Sequence, residues 1–421
     1  MQRDATGKLR GTALRPSEEE QETKKVTLST PEQLHFLNRG FSRRSFGRLA
    51  TMLAAGSTLP FYNEPALAQL SKIAHMPPDA VIINANENPL GPSPEAMEAV
   101  HKITAQGGRY LFDKTDELTE LLAKQEGLPT DHVRIFPGSS APLHQCVLAF
   151  TSPTKPYVIG DPGYEAGTRA ADFIHTKVIK VPLLKPSYSH DVKAMAGASA
   201  TAGLIYVCNP NNPTGTMTSR ADLDWLVANK PAGAIVMIDE AYTHIAPNAF
   251  FCSDMVAKGK DVVILRTFSK IYGMAGLRAG AAFGRPDLIN KLTGYSRLDM
   301  MPITGVAAAM ASLSSPTLIP ERKAKIGAVR EDVFNYFERS KFKYIPSVSN
   351  CVMVDTGKVG VGKDGKPDYT LNPVMLAMRE APYHVFVGRV WPAMPSYVRV
   401  TIGTQEEMDR FKVAFTKTMG A

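Results

Sequence analysis

The chain has 421 residues, of which 44% are hydrophobic and 21% charged, and a formal net charge of +8. It is too long for one ordinary core and has the composition of a soluble globular protein, so about two domains are expected. The positive surplus forms no dense Lys/Arg block or aromatic-basic ribbon, which argues against nucleic acid as a partner and leaves small anionic ligands as a sufficient use for it.

The first element in chain order is a leader. Residues 1–40 are polar and charged, include Glu18-Glu19-Glu20 and Lys24-Lys25, and show no sustained apolar period, which predicts disorder. Phe41-Ser42-Arg43-Arg44-Ser45-Phe46-Gly47 then sets an arginine pair ahead of the mildly apolar run Leu49–Leu59. That run is far shorter than the roughly 20 residues a membrane-spanning helix needs. Ala66-Leu67-Ala68 follows as a small-x-small cleavage pattern. The order resembles a twin-arginine signal peptide. It predicts a disordered N-terminus and signal over 1–68, cleavage near Ala68, and export to the periplasm by the twin-arginine machinery with no stable membrane anchor. The competing reading is an amphipathic N-terminal helix with a chance Arg-Arg.

Beyond residue 110, Val133–Phe136, Tyr157–Ile159, Lys177–Lys180, Leu204–Val207, Ile235–Ile238 and Val262–Leu265 read as strands. Helix-like windows such as Ala141–Phe150 and Arg220–Ala228 lie between them. This alternation predicts an α/β domain with a largely parallel sheet, whose ligands bind at the carboxyl ends of the strands. The candidate chemical residues sit just after those strands. Pro137-Gly138-Ser139-Ser140-Ala141 joins a strand to a helix, and N–H groups and hydroxyls at a helix N-terminus suit a phosphate. Tyr164 in Asp161-Pro162-Gly163-Tyr164 offers an aromatic face. Asn209-Pro210-Asn211-Asn212-Pro213-Thr214-Gly215 forms a tight loop that places the amide of Asn212. Asp239-Glu240-Ala241-Tyr242 puts a carboxylate at a strand end, which serves either as a helix N-cap or as a partner for a ring nitrogen.

Lys270 lies in Thr267-Phe268-Ser269-Lys270-Ile271-Tyr272-Gly273, with Arg278 eight residues on. An amine held at a strand end among hydroxyls and glycines suits Schiff-base chemistry with an aldehyde cofactor, most commonly pyridoxal 5'-phosphate, and Arg278 suits a phosphate. A solvated lysine explains this window alone equally well. From about residue 320 the pattern changes. A charged helix Glu321–Arg339, the run Asn350–Asp355, a Gly/Lys-rich turn at 357–366, another helix and a final strand Tyr397–Ile402 predict a smaller α+β domain. Arg399 in that last strand is either a solvated face or a bidentate partner for a carboxylate. Cys146, Cys208, Cys252 and Cys351 are far apart with no Cys-x-x-Cys pair, which argues against zinc or a redox dithiol and for buried free thiols.

Taken together, these motifs resemble the fold-type I pyridoxal phosphate-dependent aminotransferases over roughly residues 80–418, most closely the histidinol-phosphate aminotransferase branch. Asn84-Ala85-Asn86-Glu87-Asn88-Pro89-Leu90-Gly91-Pro92 is similar to that branch's N-terminal motif on the substrate side. The resemblance implies fold type I, with a large domain over 109–320 built on a mostly parallel seven-stranded sheet. A small domain would span 321–421, and an N-terminal arm over 69–108 would join it. It implies Lys270 as Schiff-base lysine and proton carrier, Asp239 on the pyridine nitrogen, and Tyr242 and Asn212 on the 3'-oxygen. Ser139, Ser140, Thr267, Ser269 and Arg278 would surround the phosphate, with Tyr164 on the ring. Arg399 would take the substrate carboxylate, with Asn86 and Arg389 on the substrate side. It also implies a homodimer with shared active sites, in which Tyr110 reaches the neighbouring subunit's cofactor phosphate. No metal is expected. Two departures bear on substrate: the branch carries an arginine where this chain has Asp355, an acid that repels a phosphate and that Arg389 offsets in part as a second cation near the site, and Pro142 replaces a more permissive residue in the first turn of the phosphate-loop helix. Amino transfer between an amino acid and a 2-oxo acid is therefore the expected reaction. The rivals are a lyase, decarboxylase or racemase on the same fold, and a non-catalytic periplasmic binding protein.

Overall fold

The computed structural model describes residues 28–47, 49–50, 76–295 and 300–420. Its strands, in chain order, are β1 (Val81–Ile83), β2 (Val133–Phe136), β3 (Tyr157–Asp161), β4 (Val178–Pro182), β5 (Leu204–Cys208), β6 (Ile235–Asp239), β7 (Val262–Thr267), β8 (Gly280–Gly284), β9 (Tyr344–Ile345), β10 (Cys351–Asp355), β11 (Gly360–Val361), β12 (Pro367–Asp368), β13 (Val385–Val387) and β14 (Tyr397–Thr401). The main sheet has seven strands in the order β2-β8-β7-β6-β5-β3-β4. β8 runs antiparallel to both its neighbours, and the other pairings are parallel. β5, β6 and β7 are buried at every position, as strands covered by helices on both faces must be, and this is why they read as unbroken apolar runs.

β8 is the strand that the sequence does not announce. Gly-Ala-Ala-Phe-Gly lacks the β-branched residues that mark its neighbours. It is glycine-bounded because space demands it: a Cβ on Gly280 would fall 2.6 Å from the carbonyl carbon of Gly138. That close approach brings the turn after β2 against β8 and beside the end of β7.

The C-terminal part holds an antiparallel sheet in the order β14-β10-β9 and a parallel pair of β1 with β13. β1 thus enters from the N-terminal arm and delivers residues 84–88 towards the carboxyl ends of the main sheet. The Gly/Lys-rich turn is a small hairpin, β11 against β12. Helix Gln405–Met419 follows β14 and escaped the sequence reading. Its signals were present: Thr404 and Glu407 form a reciprocal capping box, and Met408, Phe411 and Phe415 fall on one buried face.

The N-terminal segment differs from expectation. Disorder was expected over the first forty residues, yet Thr30–Asn38 is a helix whose start is fixed by the Glu32 carboxylate, which accepts from the N–H and hydroxyl of Ser29. Phe36, Phe41 and Leu49 are buried against Leu148 and Ile174 of the large domain. An amphipathic contact with tertiary partners overrides a polar average composition. Residues 1–27, most of the apolar run and the Ala66-Leu67-Ala68 pattern lie outside the described residues.

Candidate active site

The carboxyl ends of β5, β6 and β7 lie side by side, because Cys208 pairs with Asp239 and Asp239 with Leu265. The loops leaving those ends carry Asn212, Tyr242 and Lys270, so three motifs that are distant in sequence meet at one sheet edge. They line a cavity of about 600 Å³, counting the part open to solvent, together with Ser139, Ser140, Tyr164, Asp239, Thr267, Ser269 and Arg278.

Lys270 is buried at 8% exposure. Its Nζ donates to the carbonyl oxygens of Asn86 at 2.9 Å and Ala85 at 3.3 Å, and lies 5.5 Å from the centre of the Tyr242 ring. Asp239 ends β6 and is also buried. Its carboxylate accepts from the Tyr206 hydroxyl at 2.9 Å and the Ala241 N–H at 3.0 Å. Burial pushes its pKa up to about 6, against the counter-pull of those two hydrogen bonds and of Lys270. The Tyr242 hydroxyl accepts from Asn86 Nδ2 at 3.1 Å and Asn212 Nδ2 at 3.3 Å, so two amides converge on the phenol.

At the other end the site is built for an anion. Ser139 and Ser140 open helix Ser140–Phe150, whose first N–H groups have no intrahelical partner, and Ser139 supplies no side-chain cap. Thr267 donates to Ser269 Oγ at 2.9 Å, which fixes both hydroxyls at the rim. Arg278 sits in the left-handed region at φ +54, with Nη1 on Ala275 O at 2.8 Å and Nη2 on Pro137 O at 3.2 Å. Burial lowers its pKa. Gly138 makes room for it: a Cβ there would stand 2.3 Å from Arg278 Nη2, and the backbone at φ +86 already favours glycine.

On the substrate side, Arg399 is 1% exposed on β14. Its Nη1 donates to Asn212 Oδ1 at 2.8 Å and its Nη2 to Asn84 O at 2.6 Å. Asn86 is anchored through its N–H to Thr401 Oγ1 at 2.9 Å. Arg389 does not line the cavity. It forms an ion pair with Glu165 and lies 4.2 Å over the Trp391 ring, which in turn is 5.3 Å from Arg399. Asp355 accepts from Gly357 N–H at 2.9 Å and pairs in register with Tyr397. Tyr110 stands apart from its own chain's cavity at 72% exposure, stacked on Phe112.

Sequence reasoning missed Glu87, Cys208, Ala241 and Ala275 in the lining, and Tyr206 and Trp391 behind it. Tyr206 left a trace, because it shares a strand face with Cys208 two residues on, and a buried phenol needs a partner. The donor set as a whole suits a flat ring with a phosphate at one end and a basic nitrogen at the other. Arg278, the hydroxyls and the helix N-terminus meet the first, Asp239 the second, and an amine lies between.

A family profile for class I and II aminotransferases matches residues 78–415. A histidinol-phosphate aminotransferase of Symbiobacterium thermophilum is 34% identical over 345 residues, covering 81% of this chain and 91% of that protein. An aromatic amino acid aminotransferase of Corynebacterium diphtheriae is 30% identical over 343 residues, covering 80% and 93%. Among solved structures, one described as a putative histidinol-phosphate aminotransferase from Erwinia carotovora atroseptica superposes with a TM-score of 0.74 at 30% identity, covering 80% of this chain and 96% of that one. The Sinorhizobium meliloti histidinol-phosphate aminotransferase in complex with pyridoxal 5'-phosphate shares the fold at a TM-score of 0.74 and 24% identity, over 87% of this chain and 96% of that one.

Proposed function

The chain belongs to the class I and II aminotransferases, enzymes that work with pyridoxal 5'-phosphate, and from that premise we propose that it moves an amino group from an unphosphorylated amino acid to a 2-oxo acid, with Lys270 as the covalent anchor and proton carrier. The observation that carries this is the burial of the Lys270 amine in one cavity with the Asp239 carboxylate and the Arg278 anion site. When bound, the cofactor supplies a protonated ring that draws electrons from the substrate Cα. Asp239, ionised and desolvated, would keep the ring nitrogen protonated. Tyr242 and Asn212 would hold the ring oxygen, and Tyr164 would cover a face of the ring. Arg399, steadied by Asn212 and Asn84, would take the substrate carboxylate. Lys270 Nζ, once freed from the cofactor's aldehyde carbon, would be the base that takes the proton from Cα and delivers it to that carbon.

The reading of an unphosphorylated substrate rests on Asp355, which stands where the histidinol-phosphate aminotransferase branch carries an arginine. Asp355 brings an acid to the end of β10, and Arg389 is engaged by Glu165 and Trp391 and not held ready for a phosphate. We further propose a homodimer, with Tyr110 serving the partner's cofactor phosphate, and periplasmic location through the Arg43-Arg44 leader. Cell fractionation that finds residues 1–68 still attached in the cytoplasm would remove the export reading.

The enzyme reading is tested on the purified chain. Borohydride should fix the cofactor on the Lys270 peptide, found by mass spectrometry, and donors should aminate 2-oxoglutarate or pyruvate one for one. Histidinol phosphate should be a poorer donor than its unphosphorylated counterparts. Bound cofactor with no amino transfer from any donor, or amine loss without stoichiometric acceptor amination, would overturn it in favour of a lyase, decarboxylase or racemase.

A further inference from the structure

Helix Ser140–Phe150 brings no charge of its own to either end: it has no acidic residue in the first turn and no basic residue in the last. Its N-terminus faces the cavity. Its C-terminus is completed by a residue from the leader. Arg39 Nη2 donates to the carbonyl oxygens of Leu148 at 2.8 Å, Ala149 at 3.2 Å and Thr151 at 2.8 Å. Its guanidinium is enclosed by aromatic rings, 5.4 Å from Phe41, 5.8 Å from Phe36 and 5.9 Å from Tyr295, and Nη1 is hydrogen-bonded to the Tyr295 hydroxyl. The apolar side of the same segment, Phe36, Phe41 and Leu49, covers Leu148 and Ile174. One helix about 16 Å long therefore connects the phosphate cradle to a cation donated from over a hundred residues upstream.

We propose that residues 28–47 are a strap on the folded enzyme, and that docking of the strap and binding of the cofactor reinforce each other through helix Ser140–Phe150. The inference rests on the reading that the cofactor phosphate sits at the N-terminus of that helix. The helix is held in the core by residues such as Leu143, Val147 and Phe150, and an anion at its start and a cation at its end both add to the same ordered state. Coupling of this kind is reciprocal: whatever factor the cofactor adds to strap docking, the strap adds to cofactor affinity. Arg43 and Arg44 stand exposed on the strap, so the proposed export pair rides on a segment whose docking reports cofactor loading.

The test is amide hydrogen exchange on the full chain with and without pyridoxal 5'-phosphate, together with the cofactor dissociation constant of Arg39→Ala followed by absorbance. Exchange across residues 30–41 should slow when cofactor binds, and Arg39→Ala should weaken cofactor binding about two- to fivefold, the range expected for one charge at a helix terminus. Arg39→Lys, which keeps the charge and loses the fork, should fall between. Equal exchange in cofactor-free and loaded protein, or an unchanged dissociation constant in Arg39→Ala, would overturn the coupling while leaving the enzyme reading intact. A full chain that takes up no cofactor would remove both.

Discussion

Asp239 is the residue on which cofactor chemistry and stability pull in opposite directions. The unfolded carboxyl has a pKa near 3.8 and the folded one about 6, the rise being due mainly to burial. Between those pH values the native state holds a proton that the unfolded state has released, so this group's contribution to stability falls as pH rises through that window. Above pH 6 the cofactor-free protein carries a desolvated charge that costs about 3 kcal/mol, which a cationic ring nitrogen would offset. Asp239→Asn should therefore make the cofactor-free protein more stable than wild type at pH 7–8, and the advantage should vanish near pH 4. Urea unfolding of both proteins across that range measures the difference. A difference that does not change with pH would show that Asp239 is not the desolvated carboxylate described here. The same substitution should lower amino transfer by at least about 10², the loss typical of removing one preorganised electrostatic partner.

At the scale of elements, the cradle depends on how closely the turn after β2 approaches β8 and Arg278. Gly138→Ala should cost about 1–3 kcal/mol for a side chain forced to φ +86, and should push Arg278 from its place. Thermal unfolding and cofactor titration read the two effects separately. A variant that is destabilised yet binds cofactor as wild type does would detach Arg278 from the phosphate. Legibility in the sequence followed burial. β5, β6 and β7 were readable because they are apolar on both faces, β2 and β4 from their β-branched residues, and the site motifs because loops at strand ends use distinctive Asn, Pro and Gly residues. β8 was hidden because its glycines answer to backbone proximity, not to strand propensity. The partners of Lys270 were hidden because they are main-chain carbonyls 184 and 185 residues away, which no side-chain pattern encodes. Arg389 was placed near substrate by position alone, and its neutralisation by Glu165, 224 residues upstream, is visible only in the fold.

At the scale of the whole molecule, Tyr110 and Phe112 face away from their own chain's cavity. They form a stacked pair at 72% and 60% exposure beside Leu111, whose backbone is held at φ +48. Such large exposed rings on a constrained turn suit a contact with a second copy, and a Tyr110 hydroxyl outside its own cavity suits a neighbour's anion site. The arrangement predicts complementation between an inactive chain and a weakened one. Lys270→Ala removes the amine and leaves Tyr110, while Tyr110→Ala leaves the amine and weakens the phosphate cradle of the opposite site. In a mixed dimer the site that keeps Lys270 receives its tyrosine from the Lys270→Ala chain and is complete. With random pairing half the dimers are mixed and each has one complete site, so co-expression should restore about a quarter of wild-type activity per site. If Tyr110 instead served its own chain, no dimer would contain a complete site, and the mixture would not exceed the residual activity of Tyr110→Ala diluted by its dead partner. The comparison separates a shared active site from a self-sufficient one without altering any residue that lines the cavity beyond Lys270 itself.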